Sequence, residues 1–150
     1  MPKPLQPELN MYQLQEGTLA LPPEWHDKTM NVFVSSATGT EGVSFVITRE
    51  DLPWGMQFHE YTANEVRKVA KQVPGYEAEG SEDGQASGRA AHTHEFRWLN
   101  NGKPIHQLMT MVEYGRRVLI LTFTAPGSIS ATQREQLQAL IQTLSLNEPN

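Results

Sequence analysis

Cysteine is absent from this chain of 150 residues. Its absence excludes a disulfide framework, a thiolate zinc site, a thiol nucleophile and a Cys-ligated iron–sulfur cluster together. Long apolar runs are missing as well. No stretch approaches the roughly 20 apolar residues of a membrane-spanning helix. Met1 to Asn10 reads MPKPLQPELN, without the apolar run of about 7–15 residues that a signal peptide needs. A cytoplasmic protein with no stable membrane insertion is therefore expected. Basic charge is in deficit too: 12 Lys and Arg against 17 Asp and Glu leave a net charge of -5. Such a balance is unsuited to neutralising phosphates, so no nucleic-acid partner is expected. There is no internal repeat, no G-x-S-x-G elbow, no P-loop, and no G-x-G-x-x-G opening a helix.

What is present describes a globular chain. Hydrophobic residues make up 38% and charged residues 19%, and this length suits one domain with a core of its own. The expected division is a flexible, proline-rich arm over 1–10 and one domain over 11–150. Met11 to Gln15 and Gly17 to Leu21 read as a short hairpin that Pro22-Pro23 ends. Met30 to Ser35 and Gly42 to Arg49 read as a second hairpin across a turn at Gly39 to Gly42, rich in β-branched residues. Phe58, Tyr61, Val66, Val69 and Val73 keep helical spacing, and Pro74-Gly75 stops that helix. Tyr76 to Gly88 is acidic and glycine-rich, and reads as a weak edge strand and turn.

Three longer strands follow: Arg89 to Leu99, Lys103 to Tyr114 and Arg117 to Ala125. They are joined by turns at Asn100-Asn101-Gly102 and Gly115. Ser130 or Thr132 caps a last helix through Leu144. The fold class is α+β, an antiparallel sheet flanked by two main helices.

The middle of the three strands is the most informative. Ile105, Gln107, Met109 and Met111 alternate with His106, Leu108, Thr110 and Val112, and both sets are largely apolar. The next strand is also apolar on both sides. A half-exposed antiparallel strand carries polar residues on its wet side. Two helices suffice for one face of such a sheet and not for both. Either the second face is a covered core or dimer interface, or it binds something apolar. Methionines suit an adaptable binding surface, and Gln107 is a lone amide in the stripe.

The five histidines offer little chemistry. His92 and His94 share a strand face, a spacing compatible with two ligands to one metal, yet two sheet-surface histidines are the preferred reading. His59-Glu60 lacks the second histidine of a metalloprotease helix. Trp25, Trp54 and Trp98 read as packing anchors. No catalytic residue, metal site or cofactor is expected, and the chain is read as not an enzyme.

Several segments together carry a family resemblance: GTLALPPEWHD, a VFV strand, LPWGMQFHEYTANEVRKVAKQVPGY, FRWLNNGKPIHQLMTMVEYGRRVLILTFTAP and a terminal helix. From about Met11 to Leu146 the chain resembles the Eag adaptor-chaperones of bacterial type VI secretion, a branch of the DcrB-like superfamily. The resemblance implies a PsbP/Mog1-like fold, a homodimer and no chemistry. It implies an adaptor that binds the N-terminal transmembrane region of a secreted Rhs or PAAR effector. Such an adaptor shields that region from water and aids its loading on the secretion spike.

By resemblance Gln107, in PIHQ, is a groove residue, with Ile105, Met109 and Met111 on its face. Leu19, Leu21, Val32 and Val34 from the opening strands, and Val66 and Ala70 from the first helix, are carried into the same groove. A second reading keeps the fold and makes the chain a generic PsbP/Mog1-like binding domain that meets a folded partner through its loops.

Overall fold

A computed structural model describes residues 9–36 and 42–149 of the chain. Its elements, in chain order, are β1 (Asn10–Gln13), β2 (Thr18–Leu21), β3 (Asn31–Val34), β4 (Ser44–Asp51) and α1 (Phe58–Gln72), then β5 (Glu77–Ala86), β6 (Arg89–Asn100), β7 (Lys103–Tyr114), β8 (Arg117–Pro126) and α2 (Ala131–Gln142). The architecture is α+β. β1 and β2 form a two-stranded sheet of their own, and the other strands form a six-stranded antiparallel sheet in the order β3-β4-β8-β7-β6-β5. Most of the arm expected over 1–10 and of the turn at Gly39 to Gly42 lies outside the described residues. Asn10, placed in the arm by sequence, already pairs with Leu21 in β1.

Local chemistry sets the element ends. Asn101 and Gly102 take φ values of 51° and 80° between β6 and β7, the left-handed pair that a two-residue hairpin turn requires. Ser130 Oγ accepts the Gln133 backbone N–H at 3.1 Å, and Gln133 Oε1 accepts the Ser130 N–H at 2.9 Å. This reciprocal cap starts α2 by satisfying two of its free amide donors. Pro74 cannot continue α1, and its carbonyl accepts the Leu99 N–H at 2.8 Å, which ties the helix end to β6.

Directly opposed residues of antiparallel strands share a face, so the register sorts the sheet into two. The first face carries Phe33, Phe45, Phe123 and Leu108 in one row across four strands. The rings of Phe45 and Phe123 stack at 4.3 Å and those of Phe33 and Phe45 at 5.9 Å. α2 packs on this face through Leu137 and Ile141, over Leu108, Leu121 and Phe123. The second face carries Val34, Ser44, Thr124, Gln107 and Phe96 in one row. Val32, Val46, Thr122, Met109 and His94 form the next. α1 packs here through Tyr61, Val66 and Val69, over Phe96, Met109, Met111 and Val118.

The helices thus take one face each, one of the alternatives that the apolar strands left open. That explains why β7 and β8 are apolar on both sides: each lies between two helices, and each face needs apolar contact. β5 also differs from expectation. It is a full strand of ten residues at the sheet edge, despite its glycines and acids. Cross-strand bonds help hold it. Asp83 meets His92 Nδ1 at 2.7 Å, and Ser81 Oγ meets His94 Nδ1 at 2.5 Å.

Candidate functional site

The two sheet faces are sealed to different degrees. Under α2 the central positions Leu108, Leu121, Phe123 and Ala125 are buried. On the α1 face burial is complete only beneath the helix, at Met111 and Val118. A single helix of ordinary diameter, about 10–12 Å, spans roughly two strand spacings. The strip toward β3 therefore stays open. Val46, Thr48, Thr122, Thr124, Ile105 and Gln107 there are half-buried, and Val32 and Val34 are 61% and 56% exposed. From β3 across β4 and β8 to β7 are three strand spacings, about 14 Å.

The strip is apolar with a sparse polar line. Gln107 is its best-defined polar group. Trp98 Nε1 donates to Gln107 Oε1 at 2.7 Å, and Gln107 Nε2 donates to Thr124 Oγ1 at 2.9 Å. The amide is held flat between two neighbours and keeps one N–H and one oxygen lone pair uncommitted. The Thr124 hydroxyl accepts that bond, and its own proton stays free to donate. A polypeptide laid on the strip would meet apolar walls and two or three hydrogen-bonding points.

The groove residues named from the sequence fall into three groups. Ile105, Gln107, Val32 and Val34 share the open face, brought together by β4 and β8 between them. Met109, Met111 and Val66 share that face too, but they belong to the packed cluster under α1, where Met111 is 0% exposed. Ala70 is half-buried one turn beyond Val66. Leu19 and Leu21 stand apart. They lie in the β1–β2 sheet, on the side of Tyr12, whose hydroxyl meets Thr29 Oγ1 at 2.5 Å.

Val46, Thr122 and Thr124 were not singled out by sequence, yet they form the floor. Their signal was the pairing of β4 with β8, which local pattern does not contain. The alternation Thr122, Thr124 against Leu121, Phe123 was the one visible hint.

The histidines are structural in their contacts. His94 is buried between the Tyr76 hydroxyl, 2.5 Å from Nε2, and Ser81, and it stacks on Phe96. Burial, with His92 close by, holds its imidazole below the usual histidine range. His106 is fully buried on the opposite face. Its Nδ1 accepts the Ile129 N–H at 2.8 Å, so Nε2 carries the proton and donates to Glu95 at 2.7 Å. Arg134 grips the same carboxylate with two bonds of 2.8 and 2.7 Å. Those bonds first, then the His106 bond, hold the Glu95 carboxyl below its ordinary value against the opposing pull of burial. The triad pins α2 to β6 and β7. Among the described residues no group of three or more His, Asp or Glu side chains is placed to hold a metal ion. None of the described helices is long and apolar enough to cross a membrane.

Comparison with known proteins adds a lineage to this geometry. A sequence profile of the DcrB family matches residues 16–143. A protein of Pseudomonas aeruginosa named Effector EagT6 is 30% identical over 138 residues, which is 91% of this chain and 95% of that protein. Among solved structures, the Pseudomonas aeruginosa protein of unknown function PA94 superposes with a TM-score of 0.79 at 27% identity. That match covers 95% of this chain and 99% of that one. LpqN of Mycobacterium tuberculosis shares the fold alone, with a TM-score of 0.57 at 13% identity over 94% of this chain and 79% of its own.

Proposed function

From the premise that the chain belongs to the DcrB family, and to its effector-associated Eag branch, we propose that it is an adaptor chaperone for effectors of type VI secretion. Its client is the N-terminal transmembrane region of an Rhs or PAAR effector, which it shields in the cytoplasm until the effector is loaded on the secretion spike. It works as a homodimer, by binding and with no chemical step.

One observation supports this reading above the others. The open strip between β3 and β7 keeps apolar side chains in contact with solvent around the Gln107–Thr124 pair, while on the opposite face α2 buries the β7 and β8 positions and leaves Phe33 and Phe45 lining an open apolar pocket toward β3. At about 14 Å the strip is slightly wider than one α-helix. A transmembrane helix of about 20 apolar residues aggregates in water without a partner. Laying it on Val32, Val34, Val46 and Ile105 removes apolar area from water at about 25 cal/mol per Å². The client's backbone is satisfied within its own helix, so the site needs few polar groups. Gln107 and Thr124 supply enough to meet a serine, threonine or asparagine side chain without demanding one sequence.

Met111 and Val118 lie beneath α1 and serve the site by seating that helix as its wall. Leu19 and Leu21 reach the client only if the β1–β2 sheet closes over the strip; Leu19 is exposed and Leu21 half-buried.

Co-expression with the tagged N-terminal region of an Rhs or PAAR effector, apolar helices included, tests the proposal. The fragment is expected to stay soluble and co-purify with the native chain. Val34→Asp, at an exposed position that leaves the fold intact by circular dichroism, is expected to abolish recovery of soluble fragment. Gln107→Ala is expected to reduce it several-fold. Equal recovery with native and Val34→Asp protein would move the client to the loops, as in a generic binding domain, and end the proposal for this strip.

A further inference from the structure

The face that carries α2 has an opening of a different kind. Two clefts of about 390 and 250 Å³ run together along the flank of α2 that faces β5 and β6, sharing Glu82, Thr93, Leu108 and Gln138. The floor is apolar, with Ala91, Leu108 and Ile141. The rim carries the side-chain amides of Gln138 and Gln142 and the carboxylate of Glu82. On β5 the residues facing the trough are Gly80, Glu82, Gly84 and Ala86, set by their pairing with Glu95, Thr93, Ala91 and Arg89. A Cβ added at Gly80 or Gly84 would meet nothing within 4 Å, and neither glycine has a positive φ. The backbone does not need glycine there. A larger side chain would raise strand propensity and fill open space beside the buried floor. The chain instead leaves the space empty.

Charge narrows what the space accepts. The neighbouring carboxylates are engaged: Glu79 by Arg97, Asp83 by His92, and Glu95 by Arg134 and His106. Arg134, the one cation lining the trough among the described residues, is spent on Glu95. The carboxylate of Glu82 has no partner among the described residues. β5 is also the sheet edge, with the outward backbone groups of a ten-residue strand unpaired. Glu77, Glu79, Glu82 and Asp83 on that strand repel a second copy of the same edge. Glu77 and Glu82, outside the ion pairs of the described residues, attract a strand of opposite sign.

We propose that the trough between α2 and the β5 edge is a second binding site, for an extended basic peptide segment of a protein partner. The segment adds as a strand to β5, and every second side chain points toward the trough. An arginine or lysine there reaches the Glu82 carboxylate, and the glutamine amides take up peptide groups at the rim. The site lies on the opposite face from the strip that carries Gln107, and it stands independently of what that strip binds.

Fluorescence anisotropy of the full chain tests this, with a labelled peptide of alternating arginine and threonine as probe and its glutamate–threonine counterpart as control. The arginine peptide is expected to bind, more weakly as salt rises, and the glutamate peptide is not. Glu82→Gln is expected to weaken binding about tenfold, the loss of one charge-assisted hydrogen bond. Gly84→Ile fills the trough at a strand position with open space. It is expected to abolish binding while leaving thermal stability equal or higher. Val34→Asp, on the other face, is expected to bind the probe normally.

Any of four results overturns the proposal. These are no binding of the arginine peptide by the native chain, equal binding of both peptides, equal affinity in Glu82→Gln, or loss in Val34→Asp alone. A Gly84→Ile chain that halves its light-scattering mass would instead make the trough an interface between copies, which also overturns it.

Discussion

His94 and Glu95 are neighbours in sequence on opposite faces of β6, and both couple the fold to pH. Burial keeps His94 neutral in the folded chain and lowers its pKa from 6.5. The unfolded chain then binds the proton first, so this contribution to stability is full above about 6.5 and declines as pH falls below it. Glu95 works in the same direction at lower pH. Its carboxylate accepts from Arg134 and His106 in the folded state, and its pKa lies below 4.5. Its contribution is full above that value and is lost as pH falls through the folded pKa.

Urea denaturation followed from pH 8 to 3 is therefore expected to show two successive losses of stability on acidification. His94→Phe, which retains the ring stack on Phe96, is expected to remove the first loss. Glu95→Gln is expected to lower stability at pH 7 by about 2 kcal/mol, as it weakens charge-assisted bonds, and to flatten the second. A native curve flat between pH 7 and 5 would show that burial of His94 carries no such coupling.

Among elements, β3 and β8 show how position overrides pattern. Val34 and Val118 both occupy alternating apolar runs, and the sequence treats them alike. In the fold Val118 lies on a central strand beneath α1, 0% exposed, whereas Val34 lies on the edge strand and is 56% exposed. Val118→Ala removes buried methyl groups and leaves a cavity, and is expected to cost about 2 kcal/mol in a denaturation experiment. Val34→Ala is expected to fall within about 0.5 kcal/mol of the native chain. A loss at Val34 as large as that at Val118 would mean that the strip is covered in solution. α1 was legible because its apolar spacing and the Pro74 stop are local. Its placement on the opposite face from α2 was not, since nothing in a helix's own residues records which sheet face it meets.

At the scale of the whole molecule the sheet is asymmetric in both edge and face. One edge, β5, is long and acidic. The other, β3, has four residues, no charge, and exposed Val32, Phe33 and Val34. A short uncharged apolar edge is a surface that natural proteins normally cover. With homodimerisation proposed, light scattering is expected to give twice the chain mass. Phe33→Lys, at a solvent-exposed position, is expected to lower that mass if β3 takes part in the contact. A monomer mass for the native chain at every concentration would remove the dimer from the proposal and leave the strip to act alone.

The sequence by itself determined the classes of chemistry that are excluded, because composition needs no fold: no cysteine, no surplus of basic charge, no membrane-length apolar run. It also determined the identity of most elements, since the period-two alternation of β7, the Asn101-Gly102 turn and the Ser130 cap act over a few residues. Tertiary structure alone decided where those elements meet. Val32 reaches the row of Met109 only because β4 pairs with β8, two strands 66 residues apart at Asp51 and Arg117. Met111 and Gln107 alternate in phase on one strand, yet α1 covers the first and leaves the second half open. Hydrophobic periodicity fixes which side chains share a face. It carries no information on which part of that face another element will cover, because burial is a property of the assembled surface.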